Sequence, residues 1–406
     1  MRLIGPIITV LATGVLGLVV AVTAGPLPTH NPCGAANPCA SQQITNPCAA
    51  TNPCAAQGPS SIVEEVPWKT DFSRHSVPLE EITSGGQPRD GIPSIDHPRF
   101  VTPQEAVSWL AGVEPVISLK VGGEAKAYPM QILTWHEIVN DTIAGIPVAV
   151  TFCPLCNAAY VFDRRLDGLT LEFSTSGFLR RSTLIMYDRQ TESWWQQFIG
   201  NAVAGKLMGK QLSHLPASII SFEDFRAAHP GGKVLSRETG YERPYGRNPY
   251  VGYDRIDQPP FLFKGKIDDR LPPMERVVTV NLGEIHKAYP HSILSKKKVV
   301  TEELAGKQIV IFYRKGTASP LDGPKISESR RIGSTGVFES HLGGRRLTFV
   351  AERDSFKDRE TKSTWNILGQ AVAGPLKGQA LSPVVHANLF AFAWFAFRPN
   401  TLIYNP

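Results

Sequence analysis

Two cysteines three residues apart, in Cys153-Pro154-Leu155-Cys156, are the side chains of this sequence best suited to chemistry. Thiols at that spacing close a local disulfide, grip one soft metal ion, or cycle between dithiol and disulfide. The residues that follow, Asn157-Ala158-Ala159-Tyr160-Val161-Phe162, read as a turn and then a strand. In a thioredoxin-like motif the second cysteine lies in a helix. Here the pair reads instead as a knuckle that presents both sulfurs to one point. One such pair is half of a structural zinc site, and residues 62–406 contain no second pair. Further ligands would have to be His136, Met186 or a carboxylate such as Asp141. A sulfur-rich set with one imidazole and one thioether suits copper or zinc rather than magnesium or calcium.

His136 sits in Trp135-His136-Glu137-Ile138-Val139-Asn140-Asp141. Read as part of a helix over 130–139, His136 shares a face with Asn140, and Glu137 shares one with Asp141. Glu137, Asn140 and Asp141 are then expected to orient His136 or receive its second ring proton. Ser176 and Asp188 are further supporting candidates. Asp90, Asp96 and His97 lie in polar turns and are weaker ones. Met186 reads first as a core residue, and Asp96 and His97 read first as a structural cap.

The elements that must position these residues occur twice. Lys126-Ala127-Tyr128-Pro129 recurs as Lys287-Ala288-Tyr289-Pro290, and Asp188-Arg189-Gln190-Thr191 as Asp358-Arg359-Glu360-Thr361. Gly200-Asn201-Ala202-Val203-Ala204-Gly205 recurs as Gly369-Gln370-Ala371-Val372-Ala373-Gly374, and Trp195 as Trp365. The copies run over 114–236 and 275–406. Each alternates short apolar runs with Gly, Pro, Asn and Asp, and helical pattern is confined to 130–139, 222–228 and 387–397, with a short capped helix expected over 101–110. The expected fold is therefore α+β and β-rich: two tandem copies of one domain packed about a pseudo-two-fold axis.

Residues kept in both copies read as turn, cap and core positions. Those special to one copy read as functional. His136, Asn140, Cys153, Cys156 and Met186 belong to the first copy alone; Lys297, Thr301, Arg314 and Thr317 face His136, Asn140, Cys153 and Cys156 in the second. The second copy is thus expected to be a degenerate scaffold whose site has decayed.

The ends and the composition bound the context. Arg2 is the only early charge, residues 3–22 are apolar, and Val22-Thr23-Ala24 offers small residues for cleavage. Residues 1–24 read as a secretory signal, or as an uncleaved anchor that would tether the protein to a membrane. Either assigns the protein to an extracytoplasmic compartment, periplasmic or secreted. Residues 25–61 repeat Asn-Pro-Cys four times, ending at Cys33, Cys39, Cys48 and Cys54. With almost no apolar surface to bury, they read as a disordered tether whose thiols pair with one another or bind soft metal. The first copy, with its N-terminal extension, then occupies 62–253 and the second 254–406. Across 406 residues the net charge is only +6, and Lys296-Lys297-Lys298 is the longest basic run. This excludes an obvious nucleic-acid patch, and there is neither a phosphate-binding loop nor a dinucleotide fingerprint, so no nucleotide cofactor is indicated. No nucleophile elbow marks a hydrolase.

Several of these motifs are shared with a known family. The series Thr70-Asp71-Phe72, Asp90-Gly91-Ile92-Pro93, Ala127-Tyr128-Pro129, His136 to Asp141, Cys153 to Cys156, Ser176-Gly177, Met186-Tyr187-Asp188-Arg189 and Pro249-Tyr250 resembles the bacterial domain-of-unknown-function family 3179. The resemblance covers about 70–253 and continues as a weaker echo through the second copy. Asn157 departs from it, where the family more often has Gly; both tolerate a tight turn. The resemblance implies an exported bacterial or archaeal protein and brings no activity.

The leading expectation is an extracytoplasmic soft-metal or redox protein, with Cys153 and Cys156 as sulfur ligands, His136 as imidazole and Met186 as a weak fourth. The alternatives are a non-enzymatic ligand-binding or interaction domain with a structural Cys153–Cys156 disulfide, and a thiol–disulfide oxidoreductase.

Overall fold

The computed structural model describes residues 67–406. The expected signal segment, the tether and its four cysteines lie outside the described residues. Among the described residues, no helix is long and apolar enough to cross a membrane.

The described chain is β-rich with a few short helices, an α+β arrangement. A hairpin opens the first half: β1 (Pro115–Val121) and β2 (Glu124–Pro129) pair antiparallel, with Val116 opposite Pro129. α1 (Met130–His136) follows, because Pro129 sets an extended N-cap and the next seven residues are all buried. It ends at His136: Glu137 takes a positive φ of 56°, which reverses the chain into β3 (Ile138–Ile143). β3 pairs with β4 (Ile146–Cys153), and β4 with β5 (Ala158–Asp163), where Cys153 is opposite Ala158. A third sheet holds β6 (Phe173–Arg180), β7 (Thr183–Asp188), β8 (Trp194–Gln196) and β9 (Asn201–Ala204). β10 (Ala217–Ser221) returns to flank β1 and leads into α2 (Phe222–Ala228), which Ser221 caps by accepting the Asp224 N–H. The short strand Lys233–Leu235 closes that sheet parallel to β2.

The second half has the same element order. β11 (Arg276–Leu282) and β12 (Ile285–Pro290) pair with Val277 opposite Pro290, and α3 (His291–Lys297) ends at Lys298 with φ 61°. β13 (Val299–Leu304), β14 (Lys307–Arg314) and β15 (Ser334–Glu339) form the next sheet. β16 (Phe349–Ala351), β17 (Phe356–Asp358), β18 (Thr364–Trp365) and β19 (Ala371–Ala373) form the third. β20 (His386–Phe390) flanks β11, α4 (Ala391–Phe397) follows it, and Leu402–Ile403 runs parallel to β12.

Three helical expectations need correction. The helix expected over 130–139 stops at His136, and 138–143 is a strand, so His136 and Asn140 share no helical face. The helix expected over 387–397 begins only at Ala391, because His386–Phe390 pairs with β11. In both cases apolar runs fit either period, and edge-to-edge pairing with a neighbouring strand decided the outcome. The helix expected over 101–110 is shorter, Pro103–Ala106, but carries the capping box: Thr102 accepts the Glu105 N–H and Glu105 accepts that of Thr102.

The residues shared by the two halves hold turns. Asp188 accepts the N–H of Thr191 and the indole N–H of Trp195 at 2.9 Å, while Asp358 accepts those of Thr361 and Trp365, the latter also at 2.9 Å. Gly205 (φ 92°) and Gly374 (φ 87°) press against Ser193 and Ser363; a Cβ there would come within 3.0 Å and 2.7 Å of those Cα atoms. Lys126 and Tyr128 both bond to Asp141, and Lys287 and Tyr289 both bond to Glu302. One apolar core runs through both halves, joining Phe162, Met186 and Trp195 to Leu389, Phe390 and Trp394.

Candidate functional site

β4 delivers Cys153, the turn Pro154–Cys156 delivers its partner, and β5 carries the chain away. The turn is tight because Pro154 opens it and Asn157 closes it in the left-handed conformation, φ 52°. A strand, a single 3-10 turn that ends at Cys156, and a second strand therefore carry the pair, in place of the α-helix of a thioredoxin-like motif. Both cysteines are free and buried, Cys153 with 1% of its surface exposed and Cys156 with none.

The two sulfurs have opposite electrostatics. Burial alone would push the Cys153 thiol up. The Cys156 thiol and the backbone N–H groups of Leu184, Cys156 and Leu155 point their hydrogens at its sulfur, and together they hold it below the ordinary thiol value. Cys156 is driven well above that value by burial and by the hydrogen bond and charge of Cys153. Its proton has a second acceptor within reach, the Cys153 carbonyl at 3.7 Å. Ionisation is thus favoured at Cys153 and opposed at Cys156. Glu137 is the carboxyl group whose charge acts on this pair. Burial, then the Cys153 charge, push it well above the usual carboxylate range; the Tyr250 hydroxyl bonds to it and only partly opposes this. Tyr253 donates to the Leu155 carbonyl at 2.8 Å and so clamps the turn from the segment that joins the two halves. A cavity of about 50 Å3 reaches Glu137, Leu155, Thr175, Leu184, Tyr250 and Phe261.

His136 has other partners. Nδ1 donates to the Pro93 carbonyl at 2.8 Å, so Nε2 accepts from the Tyr245 hydroxyl at 2.6 Å. Neither nitrogen is left for a ligand in this arrangement. Burial lowers its pKa to about 4, so it is neutral in the fold. A group depressed from about 6.5 stabilises the fold above that pH and withdraws the stabilisation as pH falls toward the folded value. His214, His229 and His291 are likewise lowered to about 4 by burial. Urea midpoints are therefore expected to fall steadily from pH 7 to pH 4.5. His136→Gln should have a smaller fall over that interval than the parent protein.

The residues expected to support His136 serve elsewhere. Asn140 donates to Asp96 at 2.7 Å and to the Phe173 carbonyl at 2.8 Å, tying β3 to β6. Asp141 takes Lys126 and Tyr128. Glu137 turns to the cysteines because the chain reverses at its own φ, not one turn of helix further on. Met186 is fully buried in β7 within the apolar cluster that includes both cysteines. Ser176 donates to the Ile185 carbonyl at 2.6 Å in the irregular pairing of β6 with β7, and Asp188 holds the Trp195 turn. Asp90 accepts from Ser174 and Tyr187, Asp96 also pairs with Arg189 at 2.6 Å, and His97 is exposed. Among the described residues, no three His, Cys, Asp or Glu side chains are placed to hold a metal ion. Tyr250 and Tyr253 were not singled out from the sequence as site residues, although Pro249-Tyr250 belongs to the motif series quoted above; their distance along the chain hid them.

No curated protein and no solved structure matches this chain. A family model matches residues 89–401, which takes in both halves where the sequence resemblance placed most of its weight before residue 254. The chain belongs to the family described as "Protein of unknown function (DUF3179)".

Proposed function

We propose that this protein is an exported redox protein in which Cys153 and Cys156 cycle between dithiol and disulfide, on the first of two tandem copies of one domain. The observation that carries the reading is the Cys153 sulfur. It is buried, yet it is supplied with three backbone N–H donors and a neighbouring thiol, and Glu137 stands by as a proton donor. Structural cysteines in apolar cores lack this, and their pKa rises. The matched registers, the paired Asp–Trp turns and the left-handed residues at Glu137 and Lys298 support the duplication. The apolar segment 3–22 supports export, with cleavage or anchoring as its two outcomes.

The cavity of about 50 Å3 is lined by Glu137, Leu155 and Leu184 and by neither sulfur, so only a small oxidant such as a hydroperoxide could pass between those residues to Cys153. The Cys153 thiolate attacks the O–O bond; an S–O bond forms, the O–O bond breaks, and the leaving oxygen takes the Glu137 proton. Cys156 then passes its proton to the Glu137 carboxylate and attacks the Cys153 sulfur. The S–S bond forms and hydroxide leaves, to be protonated to water. Two electrons pass from the sulfurs to the peroxide, and an external dithiol returns them. A second reading keeps the soft metal. Two sulfurs on one turn would hold a monovalent copper ion, since thiolates favour soft ions, with Met186 in the same apolar cluster.

Peptide-resolved mass spectrometry after limiting hydrogen peroxide tests the redox reading. The peptide with Cys153 and Cys156 should lose two hydrogens before the peptides with Cys33, Cys39, Cys48 and Cys54 react. Glu137→Gln should slow that loss by about 100-fold, the lower end of the usual effect of a positioned acid. Oxidation of the tail with Cys153 and Cys156 still reduced would refute it.

A further inference from the structure

Lys298 and Arg314 stand in the second half where Glu137 and Cys153 stand in the first. Lys298 is the left-handed residue after α3, and its N–H bonds the Leu294 carbonyl at 2.7 Å, as Glu137 bonds Leu133 at 2.8 Å. Arg314 ends β14 as Cys153 ends β4. They open onto a cavity of about 480 Å3, within the usual range of small-molecule sites, roughly 300–1,000 Å3.

The charges in this cavity do not cancel. An ion network lines it: buried Asp254 accepts from Arg276 at 2.5 Å and lies 2.8 Å from Arg330, which donates to the Asp254 backbone carbonyl and leaves the Oδ1 of Asp254 without a donor. Arg314 pairs with Asp224, and Arg353 with Asp354. Of the other acids on its wall, Glu352 faces Lys357, and Glu275 accepts the Ser292 N–H. That leaves Lys298, Lys315 and Arg331, all exposed at the mouth, with no carboxylate partner among the described residues. Arg276 is only 6% exposed, and its Nε has no hydrogen-bond acceptor; neither has the buried Nε of Arg314. A buried guanidinium N–H without an acceptor is costly, so each Nε gains from an oxygen that reaches it.

We infer that this cavity binds a small polyanion with tetrahedral oxyanion groups, of the phosphate-ester or diphosphate class. Guanidinium and ammonium groups bind phosphate oxygens, and a ligand of two negative charges balances the three cations net of Glu275, a carboxylate with no cation partner among the described residues. The second half is therefore a second binding site with changed chemistry rather than a decayed copy. This inference is independent of the redox reading, because none of its residues touches the cysteines.

The test is calorimetric titration of the full chain with inorganic pyrophosphate, and separately with citrate. Pyrophosphate should bind saturably at one site and more tightly than citrate. Lys298→Glu and Lys315→Glu, both at exposed positions that should leave folding intact, should each weaken it by about tenfold or more. Lys210→Glu, an exposed position outside the cavity, should not. No saturable binding, equal or tighter binding of citrate, or unchanged affinity in both cavity variants would overturn the inference.

Discussion

Cys153→Ser is expected to abolish reaction of the site with peroxide, while Cys156→Ser should leave the first step intact. The asymmetry follows from where the hydrogen bonds point. The Cys156 thiol and three backbone N–H groups donate to the Cys153 sulfur, and a serine hydroxyl at 156 can keep the first of these bonds, whereas the Cys156 sulfur has burial and the hydrogen bond and charge of Cys153 against its ionisation. The thiolate is the nucleophile. Without Cys153, the remaining Cys156 holds its proton and should oxidise no faster than a buried inert thiol. Without Cys156, Cys153 should react and stop as a sulfenic acid, because no resolving thiol remains. Mass spectrometry distinguishes the two: no change in the first variant, and the gain of one oxygen at Cys153 in the second. Equal behaviour of the two variants would contradict the assignment of roles.

The largest stability effect is expected at Asp141→Ala. Lys126 and Asp141 are 6% and 7% exposed along their side chains and 2.8 Å apart, and Asp141 also accepts from Tyr128. Removing the carboxylate leaves a buried ammonium with the Thr142 carbonyl, the Glu124 carboxylate at 4.0 Å and the face of Phe100 as its remaining partners. Breaking one side of a buried pair costs about 3–5 kcal/mol. Replacing both partners, as in Lys126→Met with Asp141→Leu, should recover most of that loss, since apolar side chains need no compensation there. In the second half, Lys287 and Glu302 are 18% and 17% exposed, so Glu302→Ala should cost less. Urea denaturation of the three variants measures this. A larger loss at Glu302 than at Asp141 would show that water already screens the first pair.

How far these features were legible in the sequence differs by cause. The turn between Cys153 and Cys156 was legible because Pro154 and Asn157 carry their backbone preferences in their residue types. The shared Asp–Thr–Trp turns were legible because the same short spacing recurs. The role of Glu137 was hidden. Its left-handed φ is carried by a glutamate, and no residue type announces that helix α1 ends there. A helix continued through it puts Glu137 beside Asp141, while the real reversal turns it toward Cys153. Lys298 has the same backbone conformation, so that conformation belongs to the fold and only the side chain differs in chemistry. Tyr253 bonds to Leu155 across 98 residues, a contact that local pattern cannot reveal. The chemistry of the second half was hidden for a related reason. Arg314 reads in the sequence as a lost site position and Lys298 only as part of a short basic run, because the cavity that joins them to Arg276 and Arg330 brings together distant segments.

The stabilised thiolate is the central claim, and its ionisation can be read without admitting any reagent to the buried site. Protein carrying 13C at cysteine Cβ would be titrated by NMR under reducing conditions, with Cys153→Ser and Cys156→Ser giving the assignments. The expected result is a Cys153 midpoint below the ordinary thiol value of about 8.5, with Cys156 still protonated far above it. A Cys153 midpoint at or above the ordinary value, or Cys156 ionising first, would contradict it.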